Sequence, residues 1–480
     1  MLSNNLALLF VCGLVCNIAE AANSDGKEFI FSFIRDQFIP LSPAATTTVI
    51  VIPSTTDSVC TFKYTQKSDN QVVSRKNTAL YGKTNEISLN INEVISIANY
   101  TGNQFFDTLS KDFRIFVSCT EEVKLIGRVN DPINTWGDLF NIPSIQNGGT
   151  EYTLSLPSTD SSVKGAIAFL PIDLTSSIDI NVIGYSNGQL FSNKSVNYKT
   201  ALGQKQYYVS IDLYQGFNYD FNVTLTITAS KNIMLTFVSP WATTNNVDSL
   251  CGKTCKSDYL TFMPISSTKK KCNVLLAKPD QRMITSDFTT RLYVSPPNMG
   301  FDCNEVLKIT VFDNSGNTEG KDEIVSNIGL TTLDLIDEIA FTSTSGQMST
   351  YRLGSILQPG DAITSYGHYG HYIPSTAEWV TGTTQFFSLA KDCYIEFYAD
   401  QNGSDINSIK LDGIILSSIK HTKKPLSVLN SNYNQFVADI KGYGLHKFEN
   451  GGNYVLYIVC KNVNGLYDSQ GYLTAFNKRN

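Results

Sequence analysis

The chain has 480 residues, a formal net charge of −6, 17% charged residues and 11% aromatic residues. This length exceeds what one ordinary hydrophobic core supports, so three or four packing units are expected. The acidic balance excludes a broad basic surface for nucleic acid or anionic lipid. Because aromatic, threonine, isoleucine and valine residues abound, the composition predicts an all-β protein with many half-buried strands.

The amino terminus has the pattern of a secretory signal peptide, residues 1–21. An apolar run extends from Leu6 to Val15, and Ala19 and Ala21 provide small side chains at the cleavage positions. The run is too short to cross a bilayer, and no later apolar segment reaches the ~18 residues that a span needs. We therefore expect a mature protein that is secreted, extracellular and without a membrane span.

A short motif, an apolar residue followed by proline and usually by serine, recurs four times along the chain. It appears as Ile52-Pro53-Ser54, Ile142-Pro143-Ser144, Met263-Pro264-Ile265-Ser266 and Ile373-Pro374-Ser375. Proline fixes φ and donates no backbone hydrogen bond, so it belongs at the end or the edge of a strand. Several strand patterns follow each motif and lead to an apolar run, at 114–118, 233–238, 339–342 and 454–459. We interpret the chain as four copies of one β unit, with limits 22–130, 131–245, 246–365 and 366–480.

Serial β-sandwich-like units are the predicted architecture, and a β-propeller is the alternative. Each unit has about seven or eight strand patterns, as a two-sheet sandwich requires, whereas a propeller blade requires about four. The spacings between the prolines, 90, 121 and 110 residues, are unequal and favour independent units over a closed ring. Pairing of the strand at 28–33 with the strand at 472–476 would indicate a propeller. A short helix is also expected at 330–339, because the spacing of the apolar residues there is helical: Leu330, Leu333, Ile336 and Ile339.

Eight cysteines follow the signal segment, and an even number in an exported chain points to disulfides. They are Cys60, Cys119, Cys251, Cys255, Cys272, Cys303, Cys393 and Cys460. If the units are structural copies, Cys60 pairs with Cys119 and Cys393 pairs with Cys460, at corresponding places in the first and last units. The pairs Cys272–Cys303 and Cys251–Cys255 then remain. A zinc site is the rival for the latter pair, but further ligands at a useful spacing are missing.

Four Asn-X-Ser/Thr sequons are expected to carry glycans in an exported chain. They are Asn99, Asn193, Asn222 and Asn402. Such sequons mark exposed positions, although a sequence so rich in asparagine and threonine contains several by chance.

The candidates for catalysis and for metal binding have simpler interpretations. His368 and His371 could place two imidazoles at a metal, but no third ligand is near, and we expect loop histidines without metal. Asp400 to Ser404 resembles the start of a calcium loop that lacks its final glutamate, so a turn is expected. Neither Gly-x-Ser-x-Gly nor His-Glu-x-x-His occurs. We predict no catalytic residue, no cofactor and no metal site, and a protein that is not an enzyme. A triad assembled from distant residues stays open at this point.

Six short segments occur in an order that a known family shares. They are Gly26-Lys27-Glu28-Phe29, Trp136-Gly137, Ile142-Pro143 with Gly149-Thr150-Glu151-Tyr152, Leu411-Asp412-Gly413, Gly444-Leu445-His446 and Gly471-Tyr472. Together they resemble the N-terminal domain of the IgG Fc-binding protein family over roughly residues 26–475. Two departures are that Trp379 is followed by Val380 instead of glycine, and that the cysteine-rich domains of the large members are absent. The resemblance implies a secreted binding protein, and it supplies no residue motif for Fc binding.

The sequence therefore predicts a secreted, disulfide-bonded, glycosylated protein that acts by binding. The expected partner is an extracellular glycoprotein, a mucus component or a microbial-surface ligand, and nucleic acid is not expected. One alternative is a structural component of an extracellular matrix or surface coat. A secreted hydrolase is the third class, which the missing motifs disfavour. The functional expectation rests on the family resemblance and on the export signals.

Overall fold

The computed structural model describes residues 22–37, 39–98, 105–157, 159, 164–186, 188–212, 223–243, 256–300, 303–315, 319–326, 331–358, 364–390, 392–428 and 431–478. Strands dominate these ranges, so the predicted all-β class is confirmed. The predicted signal segment, residues 1–21, lies outside the described residues. No helix in the described ranges is long and apolar enough to cross a bilayer.

The first unit is built on a 7-stranded sheet. Its elements are β1 (Gly26–Phe31), β2 (Phe33–Asp36), β3 (Thr46–Pro53), β4 (Ser58–Thr65), β5 (Val72–Ala79), β6 (Glu86–Leu89), helix α1 (Ile91–Val94), β7 (Ile95–Ala98), β8 (Phe105–Ser110), β9 (Ile115–Asp131) and β10 (Trp136–Ile142). The sheet has the order β5-β4-β9-β3-β6, and β1 and β10 also pair with β9. Alternation sets the faces: Cys60, Phe62 and Tyr64 of β4 are buried, while Lys63 is exposed.

The second unit is an 8-stranded sheet that includes β8 from the preceding segment. Its own strands are β11 (Gly149–Ser155), β12 (Lys164–Pro171), β13 (Ser177–Ser186), β14 (Gln189–Lys199), β15 (Gln206–Asp212), β16 (Val223–Ala242) and β17 (Asp258–Phe262). The order is β14-β13-β16-β12-β15-β8, and β11 and β17 also pair with β16.

The third unit consists of two 4-stranded sheets. Its strands are β18 (Asp280–Met283), β19 (Thr289–Ser295), β20 (Leu307–Asp313), β21 (Lys321–Val325), β22 (Thr331–Asp334), β23 (Glu338–Ser343), β24 (Ser349–Gln358) and β25 (Thr364–Tyr372). The orders are β18-β23-β20-β21 and β22-β19-β24-β25. The short helix expected around Leu333 and Ile339 is wrong, since these residues lie on β22 and β23.

The fourth unit is again an 8-stranded sheet. Its strands are β26 (Val380–Ser388), β27 (Cys393–Ala399), β28 (Lys410–Leu411), β29 (Ile414–Ile415), β30 (His421–Val428), β31 (Ser431–Ile440), β32 (Gly444–Cys460) and β33 (Gln470–Leu473). The order is β29-β28-β32-β27-β31-β30, and β26 and β33 also pair with β32.

The four units share one topology, organised by a long strand that changes partners halfway. The first half of β9 pairs with β1 and β4, and its second half pairs with β3 and β10. The strands β16 and β32 divide their partners in the same way. In the third unit the long strand is split into β23 and β24. Each unit therefore has two groups of strands, as repeated sandwich-like units require.

Strand pairing places the proline motif at the end of a unit and not at its beginning in three of four cases. The motifs at Pro143, Pro264 and Pro374 directly follow β10, β17 and β25, which pair with the long strand of the preceding sheet. The sheets thus extend past residues 130, 245 and 365, the limits expected from sequence. Pro53, by contrast, ends β3 inside the first unit.

The last strands of the four units form a closed ring. Strand β10 packs against β17 and β33, and β25 packs against the same two. All four border one small cavity of about 20 Å³, lined among others by Phe140, Phe262, Tyr372 and Phe476. Strand β1 pairs with β9 of its own unit, so the pairing that would indicate a propeller does not occur. The four units therefore close into a ring, whereas the unequal spacings between the prolines favoured a series of independent units. These spacings include the lengths of the loops, so they do not report whether the units close into a ring.

Candidate functional site

Three of the predicted disulfides are present. Cys60–Cys119 joins β4 to β9, Cys393–Cys460 joins β27 to β32, and Cys272–Cys303 joins two loops of the third unit. The predicted pairing of these cysteines is confirmed. The expectation that Cys60–Cys119 and Cys393–Cys460 occupy corresponding places in the first and last units is wrong. Cys119 lies in the first half of its long strand, whereas Cys460 ends the second half of the other. The pair Cys251–Cys255 lies outside the described residues.

Two of the four predicted glycosylation sites are within the described ranges. Asn193 is exposed on β14, and Asn402 is exposed in the turn after β27. Asn99 and Asn222 lie outside the described residues. Glycosylation at all four positions stays a prediction.

The histidine pair is placed differently from the sequence expectation. His368 and His371 lie on strand β25, so the expected loop is wrong, and their separation by three residues directs them to opposite faces of the strand. Burial lowers the pKa of His368 to about 4. His371 is buried, and its ring stacks on Tyr457 with centroids 4.7 Å apart. The glycines between the aromatic residues of this segment suggested a loop, whereas the segment forms a buried strand.

The expected turn at Asp400 is confirmed. The backbone N–H of Gly403 donates to Asp400 Oδ1 (2.8 Å), and the Nδ2 atom of Asn453 donates to Asp400 Oδ2 (2.8 Å). One oxygen of this carboxylate therefore closes the turn, and the other ties the turn to β32.

One group of three metal-ligand residue types has its ligand atoms within 4.8 Å of one another in the described part of the chain: Cys272, Cys303 and Glu305. The two sulfur atoms are bonded to each other, so they offer no thiolate. The Glu305 carboxylate accepts a hydrogen bond from the Lys270 ammonium group (2.6 Å). This group is a disulfide beside an ion pair.

Three buried aspartates lie at the end of the ring where the last strands begin: Asp138 on β10, Asp258 on β17 and Asp468 just before β33. The backbone N–H of Thr261 donates to Asp138 Oδ2 (2.9 Å), and the backbone N–H of Ser469 donates to Asp258 Oδ2 (2.9 Å). Each bond joins the last strand of one unit to the chain of another. These axial aspartates therefore hold the ring together.

Burial controls the protonation of the axial aspartates. It raises the pKa of Asp138 and of Asp258 well above the usual range, and the charge of Asp468 adds to both shifts. Burial raises the pKa of Asp468 to about 7, against hydrogen bonds from Asn464. Within the described ranges the three carboxylates do not bring their oxygens within 4.8 Å of one another, as one metal ion would require. We assign them a structural role.

The ring closes where residues 22–25 meet residues 474–478, between the first and fourth units, at a junction that we call the seam. The backbone N–H of Ser24 donates to the carbonyl oxygen of Phe476 (3.0 Å), and the N–H of Lys478 donates to Asn23 Oδ1 (2.8 Å). Ile52 of β3 packs into the core of the fourth unit. The seam thus joins backbone, polar and apolar groups of the first and fourth units.

A cleft of about 260 Å³ opens at the seam, and we call it the seam cleft. It is lined by Ala22, Asp25, Ile52, Pro53, Ser54, Thr55, Tyr81, Lys124, Val380, Thr381, Thr383, Thr384, Gln385, Lys447 and Ala475. The first unit contributes the end of β3 and the middle of β9, and the fourth unit contributes β26. Because Thr383 and Gln385 are two positions apart on β26, their side chains project from the same face.

A largely buried ion pair lies in the seam cleft. The ammonium group of Lys124 donates to Asp25 Oδ1 at 2.8 Å, and the two side chains are 4% and 9% exposed. Burial raises the pKa of Asp25, and the nearby Lys124 charge opposes that shift. The pair presents a donor and an acceptor without net charge. A lysine ammonium has three donors, of which Asp25 takes one.

Further polar groups and one aromatic ring surround this ion pair. The Oε1 atom of Gln385 is buried and has no hydrogen-bond partner among the described residues. The Thr384 hydroxyl accepts a hydrogen bond from the Tyr454 hydroxyl (2.8 Å), which fixes its orientation. Tyr81 is 46% exposed, and Lys447 is exposed with its ammonium group on Glu449 (2.8 Å). The arrangement can bind a small neutral molecule that both donates and accepts hydrogen bonds.

The residues of the seam cleft share no sequence motif. Ile52-Pro53-Ser54 belongs to the repeated proline motif, but the residues that complete the cleft, such as Lys124 and Gln385, lie far away along the chain. Only the closed ring brings them together. No sequence signal marked the cleft, since the position of this proline motif inside its unit is known only from the strand pairing.

Comparison with known proteins identifies no family. No protein-family model and no curated protein matches the chain. Among solved structures, the chain is 10% identical to a DUF4785 family protein from Legionella pneumophila, with a TM-score of 0.10, covering 69% of this chain and 88% of that chain. It is 9% identical to the arabinofuranosyltransferase AftD from mycobacteria, with a TM-score of 0.12, covering 91% of this chain and 32% of that chain. Neither likeness supports an inference about function.

Proposed function

We propose that this is a secreted, non-enzymatic extracellular binding protein that holds a sugar residue of a glycoconjugate in the seam cleft. The observation that carries the proposal is the seam cleft itself: a concave site with a buried Lys124–Asp25 pair and an unpartnered Gln385 oxygen. Partners of this kind include extracellular glycoproteins, mucus components and microbial surfaces.

The chemistry of the lining matches a neutral, polyhydroxylated ligand. Each sugar hydroxyl can donate and accept a hydrogen bond, and the cleft offers both functions through Lys124, Asp25, Gln385 and its threonines. The partly exposed Tyr81 ring provides an apolar surface for the C–H face of a sugar. A volume of about 260 Å³ lies just below the range of pockets for drug-sized molecules, which suits a single sugar residue.

Separate observations support secretion and a non-enzymatic role. Three intramolecular disulfides are common in extracellular proteins, in agreement with the signal pattern at residues 1–21. The resemblance to the IgG Fc-binding protein N-terminal domain points the same way. Most glycosidases use two carboxyl groups at the scissile bond. In the described lining of the seam cleft, the one carboxylate is Asp25, and it is paired with Lys124.

The test is a glycan array with the purified secreted protein, followed by calorimetric titration of the best sugar. Gln385→Leu removes the unpartnered acceptor, and we expect it to weaken binding about tenfold, the loss of one hydrogen bond worth about 1.4 kcal/mol. Tyr81→Ala should weaken it in the same direction. Tyr443→Ala is the matched control, because Tyr443 is 51% exposed and does not line the cleft.

The proposal is supported if sugar binding is saturable, if the two cleft variants weaken it and if Tyr443→Ala leaves it unchanged. Equal binding by all variants would place the sugar elsewhere and contradict it. Insolubility or self-association without capture of any sugar would favour the structural matrix component, and turnover of a sugar substrate would favour the hydrolase.

A further inference from the structure

The outer face of the second unit carries a shallow polar groove beside Asn193. The groove has a volume of about 470 Å³ and is lined by polar residues of three adjacent strands: Asp179 and Asn181 of β13, Ser195 and Asn197 of β14, and Thr228 and Ser230 of β16. Asn193 precedes Ser195 by two positions on β14, so both side chains project from the same face. The Oδ1 atom of Asn181 is buried and has no partner among the described residues.

A second polar groove lies beside the other described sequon, at Asn402. It has a volume of about 420 Å³ and is lined by Gln401, Ser404, Asp405, Lys423, Pro425, Ser427, Asn432, Tyr433 and Asn434. Asn402 is exposed and stands in the chain next to Gln401. The Nδ2 atom of Asn434 donates to Ser404 Oγ (2.9 Å), and the Lys423 ammonium donates to the Ser404 carbonyl (3.0 Å). The turn that carries Asn402 is therefore held against β30 and β31.

Both grooves lie at the outer strand of a sheet. Strand β14 is at one end of the second unit's sheet, and β30 is at one end of the fourth unit's sheet. An outer strand presents unpaired backbone N–H and C=O groups, which other chains can pair with. Each described sequon thus combines an exposed asparagine, a polar groove on the same surface and an outer strand that needs covering.

We propose that N-linked glycans at Asn193 and Asn402 fold back into these two grooves and cover the outer strands β14 and β30. The first sugar at Asn193 reaches Asn181, whose free Oδ1 accepts a hydrogen bond from its amide or hydroxyl groups. The sugars at Asn402 lie along Lys423 and Ser427 of β30. The glycans act as fixed parts of the surface, and they block the pairing of β14 and β30 with other chains.

The attachment chemistry requires export, so this inference rests on the secretion in the proposed function. A lipid-linked oligosaccharide diphosphate is the donor. The Asn Nδ2 atom forms a bond to the anomeric carbon of the first sugar and loses one proton, while the bond from that carbon to the diphosphate breaks and the lipid diphosphate leaves. The hydroxyl residue that the third position of each sequon requires is present, as Ser195 and as Ser404.

The test combines glycopeptide mapping with hydrogen exchange on protein secreted from a eukaryotic host. Asn193→Gln should remove the protection of β14 amides and leave β30 unchanged, and Asn402→Gln should do the reverse, so each variant controls the other. A glycosidase that leaves one sugar on each asparagine should reduce the protection without abolishing it, since one sugar covers only part of a groove of this volume. An amidase that removes the whole glycan should abolish it.

Occupied sites with strand-specific loss of protection support the inference. Empty sequons in secreted protein, or exchange unaltered by removal of the glycan, would overturn it. The sugar-binding proposal can survive either result, because the seam cleft is tested on the array. A protein that is retained inside the cell without glycans would instead defeat the export on which both depend.

Discussion

The axial aspartates make the stability of the ring depend on pH near neutrality. Burial raises the pKa of Asp468 to about 7, whereas the unfolded carboxyl titrates near the ordinary value of 3.8. Between these values the folded protein binds a proton that the unfolded chain releases. Stability is therefore highest below pH 4 for this group, and it falls as the pH rises through 7.

The size of the effect follows from proton linkage. Each such group lowers the free energy of unfolding by about 1.4 kcal/mol per pH unit while it stays protonated in the folded state. From pH 5 to pH 7 this amounts to about 2 kcal/mol for Asp468, because its titration is half complete at the upper end. Asp138 and Asp258 shift in the same direction. Carboxyls with lowered pKa, such as Asp173 and Asp131, affect stability only in more acidic solution.

The assay is chemical denaturation at pH 5, 6, 7 and 8 at constant ionic strength, for the natural chain and for Asp468→Asn. The amide is neutral at every pH, so the variant should gain stability relative to the natural chain as the pH rises from 5 to 7, and it should be the more stable of the two at pH 8. Burial lowers the pKa of His368 to about 4 and also lowers that of His371, and these two groups make the stability of both chains rise as the pH approaches 6.5. The decisive quantity is therefore the difference between the two chains, and the account of the ring axis is refuted if the natural chain loses no stability relative to the variant from pH 5 to 7.

Two further substitutions test the packing at the seam and at the ring. Lys124→Met leaves the Asp25 carboxyl buried without its partner and should destabilise the fold by about 3–5 kcal/mol. The control is Lys27→Met, which breaks an exposed ion pair and should cost about 1 kcal/mol or less. If chemical denaturation shows equal losses of stability for the two lysine variants, the buried ion pair is contradicted. Gly354→Ala places a methyl group into a buried tyrosine ring and should cost about 1–3 kcal/mol. Gly451→Ala, which faces open space, is its control, and equal melting temperatures for the two variants would disprove the close approach.

Local patterns predicted the strand class because alternation is a property of neighbouring residues. The run containing Cys60, Phe62 and Tyr64 buries every second side chain, as its sequence indicates. The disulfide pairs also followed from sequence, although Cys119 and Cys460 occupy different places in their units. The prediction reached the right pairs through an equivalence that the structure does not have.

The ring and the seam cleft could not be predicted because they depend on contacts between distant parts of the chain. The spacing between prolines measures the length of the loops as well as the strands, so it does not report ring closure. Asp138, Asp258 and Asp468 lie in segments without a shared motif, yet the last strands bring them to one end of the ring. Lys124 and Gln385 likewise meet only across the seam.

The most direct test of the proposed function is a crystal structure of the secreted protein with the best sugar from the array. The account predicts electron density for one sugar ring in the seam cleft, with a hydroxyl donating to Gln385 Oε1 and the ring beside Tyr81. Sugar density at another surface, with the seam cleft holding only water at a concentration that saturates binding, would contradict it.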